Sequence, residues 1–217
     1  MPTAKLKALT DPTPSQPFLV DRRSRELTIE RAIVERVLGG DVAAYRRIVE
    51  RHQRRVHAIA YRMLGSPSDA DDIAQQAFVA AFDALDGFDP RLPFGAWINR
   101  IAINLAKDHL KSKKRTEVSL PDEPVAAEQA HLAGRLPDPE AEAARTELRD
   151  TLQRALDSLP FKDREVLVLK DVEELSYEEI RAILQRPITA LKIRVIRARQ
   201  KLRAALERLG AEHVRSK

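Results

Sequence analysis

Cysteine is absent from the 217-residue chain. That excludes a disulfide framework and any thiolate metal site. Glycine is scarce, at 7 residues, and aromatic side chains make up only 5%. A chain so poor in glycine and aromatics, with a third of its residues charged, favours helices over sheets. No apolar run approaches the roughly 18 residues of a membrane span. The N-terminus lacks the apolar core of a signal peptide. A cytoplasmic protein without membrane insertion is expected. The apolar fraction, 43%, suffices for a core and argues against global disorder. The net charge of +5 matters less than where the charges sit.

Residues 1 to about 25 carry Pro2, Pro12, Pro14 and Pro17 and are expected to be a flexible tail. From Glu26 to Arg115 the pattern is helical. A first stretch near Leu27–Leu38 stops at Gly39-Gly40. A second runs from about Asp41 to Leu64, with Val42, Tyr45, Ile48, Val49, Val56, Ile59, Ala60 and Met63 at the three-to-four spacing of one face. Gly65 ends it. Ser66, followed by Pro67 and Asp69, is an N-cap signal for a third helix. A fourth is expected from about Phe94 to Lys114.

Composition then shifts. Thr116–Arg145 holds four prolines and seven acidic residues against two basic ones, the pattern of an acidic linker. Asp138-Pro139 is a start signal for a helix over Glu140–Leu159. Helices over Lys162–Val172, Tyr177–Leu184 and Thr189–Leu209 complete the chain. Ser176 with Glu179 forms a capping box for the middle one. The turn Gln185-Arg-Pro-Ile188 between the last two has the form of a helix-turn-helix. The expected fold is all-α: a four-helix domain over 26–115, a linker over 116–138, a helix-turn-helix domain over 139–210 and a short tail over 211–217.

The last helix carries the strongest functional signal. Ile188, Leu191, Val195, Ala198 and Leu202 share an inward face. The opposite face centres on Ile193, Ile196, Arg197 and Gln200, flanked by Lys192, Arg194, Arg199, Lys201 and Arg203. No acidic residue occurs from Arg186 to Leu206. Cations at this density repel one another, and a polyanion along the face relieves the repulsion. A helix-turn-helix sends its second helix into the major groove. Arg and Lys there can read guanine or grip phosphate, and an outward isoleucine can meet a thymine methyl. A solvated basic face is the alternative; the turn and capping box in front of it favour DNA.

The fourth helix has a second such face: Arg100, Asn104, Lys107, Asp108 and Lys111 recur at steps of three and four, opposite Phe94, Ile98, Ile101, Ala102 and Leu105. Cations for phosphates beside amide and carboxylate groups for base edges make a nucleic-acid surface. Trp97, at the margin, is either a core residue or a platform for an unpaired base; its spacing favours the core. Asp69, Asp71 and Asp72 lie at a helix N-terminus, which the dipole favours by itself. They lack the glycine and glutamate of a calcium loop. The five histidines are scattered. With no nucleophile, phosphate loop or carboxylate pair, neither an enzyme nor a cofactor or metal is expected.

Gly40–Gly65, Asp69–Phe82 and Trp97–Leu110 together resemble the second region of the extracytoplasmic-function (ECF) sigma factors. Leu156–Pro160, Arg164–Leu167, Leu175–Ile180 and Leu191–Arg199 resemble their fourth region. The resemblance covers most of the chain outside tail and linker. It implies a promoter-specificity subunit of RNA polymerase. Asp69, Asp72, Ile73, Gln75, Gln76 and Phe78 would dock on core polymerase. Phe88, Trp97, Arg100, Asn104, Lys107, Asp108 and Lys111 would melt and bind the minus-ten element. Lys192, Ile193, Arg194, Ile196, Arg197 and Gln200 would read the minus-thirty-five element. Partners implied are core RNA polymerase, promoter DNA and an anti-sigma factor.

Four residues depart from the family pattern. Gln76 stands where glutamate is usual, which would weaken docking. Gln185 and Thr189 stand near positions where glycine is usual, so a reshaped or strained turn is expected. Ile193 stands where a small hydroxyl residue is common, which implies an altered minus-thirty-five preference. Two other readings use the same residues: a stand-alone helix-turn-helix regulator, which leaves the first domain unexplained, and a helical interaction protein with basic faces for acidic partners.

Overall fold

A computed structural model describes the backbone of residues 17–90, 92–117 and 139–215, and side chains over 25–90, 92–115 and 145–210. Among the described residues there are eight α-helices and no strand: α1 Pro17–Leu38, α2 Tyr45–Leu64, α3 Pro67–Asp83, α4 Phe94–Glu117, α5 Pro139–Asp157, α6 Phe161–Leu167, α7 Tyr177–Leu184 and α8 Ile188–Arg215. They form two helical domains, α1–α4 and α5–α8.

The local signals act as their chemistry dictates. Gly65 closes α2 in the left-handed region at φ 75°, donating to the Tyr61 carbonyl at 2.7 Å. Ser66 accepts from the Asp69 N–H at 3.3 Å and opens α3. Ser176 and Glu179 exchange the two bonds of a capping box at the start of α7.

Four expectations need correction. The first helix starts at Pro17, so 17–25 is helical and not tail. Proline is acceptable in a first turn, because its missing N–H has no intrahelical partner there. The last helix runs through Gly210 to Arg215, beyond the expected stop at Leu209. An interior glycine costs about 1 kcal/mol against alanine but does not forbid a helix. The helix expected over Lys162–Val172 is α-helical only to Leu167 and continues as a wider turn over Val168–Val172. Of the linker expected over 116–138, residues 116 and 117 belong to α4; the rest of it and the tail up to residue 16 lie outside the described residues.

The core has two parts. One lies within the first domain: Ile33, Val34 and Val37 of α1 meet Ile48, Val56, Phe78, Phe94 and Ile98. The other spans both domains. Ile59, Met63, Ile73, Ile103 and Ala106 pack with Leu156, Leu159, Val166, Leu169, Ile180, Leu191 and Val195. So α4 has two buried faces: Phe94, Ile98 and Ala102 turn toward the first core, while Ile103 and Ala106 turn toward the second. That leaves a narrow exposed strip.

Polar bonds stitch the same seam. Arg55 meets Glu173 Oε2 at 2.6 Å and its carbonyl at 3.1 Å. Arg164 donates to the Met63 carbonyl at 2.7 Å and to Asp157 Oδ1 at 2.9 Å. Gly65 is needed here for space as well as for φ: a Cβ on it would lie 2.7 Å from Asp157 Oδ2.

Candidate nucleic-acid interface

The α8 surface follows from its periodicity. Leu191, Val195 and Ala198 are buried. That turns Lys192, Ile193, Arg194, Ile196, Arg197 and Gln200 outward, and all six are exposed. Ile193 and Ile196 stay 48% and 57% exposed. The turn before α8 keeps its tight form, with Gln185 taken into the left-handed region at φ 52°. The turn is therefore strained and not reshaped.

The charge on α8 is uneven. Asp163 of α6, only 5% exposed, accepts from Arg194 at 3.0 Å and from Lys201 at 2.5 Å. Asp171 binds Arg199 through both carboxylate oxygens, at 2.9 and 2.5 Å. Lys192 sits 5.6 Å from the centroid of the Tyr177 ring, within cation–π range. Arg197 and Gln200 make no hydrogen bond or ion pair among the described residues. Of the three cations among the six outward residues, Lys192 and Arg197 thus have no carboxylate partner among the described residues, while Arg194 has Asp163.

On α4, Asn104, Lys107, Asp108 and Lys111 are exposed and Arg100 is half-buried. They form one strip, as their spacing predicts. Lys111 donates to Asp108 at 2.8 Å, and that bond holds the Asp108 carboxyl below the ordinary aspartate range. Beside the strip, burial pushes the Glu165 carboxyl up to about 7, against the pull of Lys107, Arg194, Arg186 and Lys162. The two basic surfaces thus approach one another around one carboxyl group.

Two aromatic candidates sit deeper than a contact surface. Phe88 is 8% exposed and packs 5.3 Å from Phe94 and 5.1 Å from Trp97, centroid to centroid. Trp97 is half-buried, 5.3 Å from Phe94. Phe88 therefore shapes the start of α4 from within; its ring meets no ligand in this arrangement.

The α3 candidates divide in the same way. Asp72, Gln75 and Gln76 are exposed. Ile73 and Phe78 are 2% and 8% exposed and anchor the helix. Asp69 lies 3.4 Å from His109 Nε2, an ion-pair distance without a hydrogen bond, and 3.9 Å from Lys113 Nζ.

Sequence reasoning missed the seam between the domains and a buried pair, Glu30 and His52. A signal for the pair was present. Glu30 stands in register with Ile33, Val34 and Val37, and His52 with Ile48 and Val56, so both are polar residues on apolar stripes. Among the described residues no cluster of histidine and carboxylate side chains could hold a metal. None of the helices is long and apolar enough to cross a membrane.

Family models match both domains: sigma-70 region 2 over residues 48–116 and sigma-70 region 4 over residues 149–202. Among curated proteins, the chain is 37% identical to the ECF RNA polymerase sigma factor SigW of Bacillus subtilis, covering 85% of this chain and 100% of that one. It is 34% identical to RNA polymerase sigma-H factor of Pseudomonas aeruginosa, over 84% of this chain and 96% of that one. Identity to the ECF RNA polymerase sigma-E factor of Escherichia coli K12 is 36%, over 82% and 93%. Among solved structures, CnrH in complex with the cytosolic domain of CnrY superposes with a TM-score of 0.59 at 32% identity, covering 82% of this chain and 96% of that one. The sigma factor RpoE of Bartonella quintana, in complex with the anti-sigma factor NepR, shares the fold, with a TM-score of 0.60 at 23% identity over 75% and 96%.

Proposed function

This chain belongs to the ECF sigma factors of the sigma-70 family, and from that premise we propose how its surfaces divide the work of promoter recognition. The exposed residues Asp72, Gln75 and Gln76 of α3, with the half-buried Asp69 beside them, dock on core RNA polymerase. The α4 strip of Arg100, Asn104, Lys107, Asp108 and Lys111 engages the minus-ten element, with Phe88 and Trp97 supporting it from the core. The outward face of α8 reads the minus-thirty-five element in the major groove. The domains act as units, one built of α1–α4 and one of α5–α8, joined by the linker over 118–138. The protein works in the cytoplasm, where its polymerase is.

The observation that carries this reading is the contrast within α8. Lys192 and Arg197 are left unneutralised beside two outward isoleucines, while Arg194, Arg199 and Lys201 are tied to carboxylates. Singly exposed isoleucines are ordinary on a solvated helix; what marks this face is that Ile193 and Ile196 stand beside the two unneutralised cations. A groove reader gains contact with thymine methyls.

The chain acts by binding in this proposal, and RNA synthesis is left to the polymerase. The stand-alone regulator leaves the region 2 match unaccounted for. An anti-sigma factor is a further proposed partner, since CnrH was solved with the cytosolic domain of CnrY. Size-exclusion chromatography with core polymerase tests the docking reading. Co-elution is expected. Duplex DNA binding without co-elution would favour the stand-alone regulator.

A further inference from the structure

Two successive residues of α1 hold the approach to α4. Arg31 Nη2 donates to the Pro90 carbonyl at 3.0 Å. Glu30 Oε2 accepts from the Phe94 N–H at 3.1 Å. The other Glu30 oxygen, Oε1, lies 3.0 Å from His52 Nε2. Glu30 and His52 are each 8% exposed, and Phe94 is fully buried.

The need for Glu30 follows from the sequence at the helix start. Phe94 opens α4, so its N–H has no intrahelical acceptor. The residue before it, Pro93, has no side-chain oxygen with which to cap the helix. A carboxylate from α1 takes that place, where the positive end of the helix favours it. A buried carboxylate needs a polar partner of its own, and His52 provides one. Gly95 makes room for the ring: a Cβ there would lie 3.2 Å from His52 Cε1. Glu30 and Arg31 both precede residue 48, where the region 2 match begins.

We propose that Glu30 and Arg31 are positioning residues for minus-ten melting. They anchor Pro90 and Phe94 from α1, so that α4 and the turn before it meet the DNA already in place. The inference rests on the assignment of α4 to the minus-ten element. Neither residue touches the nucleic acid in this account. Preorganisation matters here because melting unstacks bases, which costs a few kcal/mol, and a loosely held surface loses part of its binding energy to its own ordering.

The test uses holoenzyme assembled from the full chain and core polymerase, on a promoter selected from a randomised library by the wild-type protein. Two templates are compared, one fully duplex and one with the minus-ten segment already unpaired. Open-complex formation is followed by permanganate reactivity of thymines around the start site, downstream of the minus-ten segment and paired in both templates. Arg31 is exposed, so Arg31→Ala should fold. It is expected to slow opening of the duplex template about tenfold, the scale of one lost charged hydrogen bond. On the unpaired template, and in co-elution with core, it should stay within about twofold of wild type. Arg31→Lys should restore part of the rate. Glu30→Gln keeps an acceptor for Phe94 but loses the charge, and should fall between the two.

Duplex opening at the wild-type rate by both Arg31→Ala and Glu30→Gln would overturn the proposal. Equal loss on both templates would overturn it too, since that is the mark of a general structural defect. Lys107→Ala separates this failure from failure of the α4 assignment. If Lys107→Ala slows opening and the α1 variants do not, only the positioning role falls. If Lys107→Ala opens the duplex normally, the assignment and the positioning role fall together.

Discussion

Arg164 of α6 donates to the carbonyl of Met63, in the last turn of α2, at 2.7 Å. One guanidinium from the second domain thereby satisfies an acceptor that α2 itself leaves open. Its positive charge also suits a helix C-terminus. The same group reaches Asp157 Oδ1 and the Asp157 carbonyl at 2.9 and 2.8 Å. Arg164 is 7% exposed, a buried cation whose ion pair with Asp157 lies within the second domain and whose bond to the Met63 carbonyl crosses the seam.

Removing one member of a buried, hydrogen-bonded charge network costs about 3 kcal/mol. Arg164→Ala should lower the stability of the chain by about that amount in urea titration. A loss below about 0.5 kcal/mol would show that the link is dispensable. The bond also bears on function. Elements about 25 base pairs apart lie roughly 85 Å apart along the duplex, at 3.4 Å per base pair. On the proposed assignment of α4 and α8 to these elements, two docked domains must separate to reach both, and we predict that the Arg164–Met63 bond and the Arg55–Glu173 pair open on promoter binding.

Gln185 offers a prediction of the opposite sign. It is held at φ 52°, which costs a residue with a Cβ about 1 kcal/mol or more. Gln185→Gly relieves that strain but adds chain entropy to the unfolded state. The balance should be a gain of about 0.5 kcal/mol, seen as a higher urea midpoint. DNA affinity should not change, because the α8 face is untouched. A lower midpoint would mean that Gln185 makes a compensating interaction.

The pH dependence of stability should report on Glu165. Burial raises its carboxyl to about 7. The folded chain therefore binds this proton more tightly than the unfolded chain does. By linkage, the contribution is fully present below the ordinary glutamate value and is lost as pH rises through about 7. Glu165→Gln keeps the shape and removes the titration. Thermal unfolding of the two proteins from about pH 5 to about pH 8 should show the wild type losing stability relative to the variant. Parallel curves would contradict the assignment.

Much of this architecture was legible in the sequence, because local rules decide it. Ser66 and Ser176 cap where their spacing to Asp69 and Glu179 says they should. The inward stripe of α8 leaves Ile193 and Ile196 outside, as three-to-four periodicity requires. The turn at Gln185 was expected to suffer for want of glycine, and it adopts a left-handed conformation. What was hidden depends on contacts between residues far apart in the chain. Asp163 neutralises Arg194 and Lys201, which lie 31 and 38 positions later. Ile103 and Ala106 lie off the stripe of Phe94, Ile98 and Ala102, and it is the second domain that buries them. Phe88 looked like part of a contact loop and proved to be core, since an aromatic cluster has no periodic signature. Glu30 and His52 were visible as polar breaks in apolar stripes, but their bond joins separate helices.

The most direct test of the central claim is transcription reconstituted from this chain and core RNA polymerase over a library of randomised promoters. The account predicts transcripts from a discrete set of templates that share two elements at a fixed spacing. It also predicts that Arg197→Ala lowers their output about tenfold, the scale of one lost base contact, while the variant still co-elutes with core. Transcription no more selective than that of core polymerase alone would contradict it.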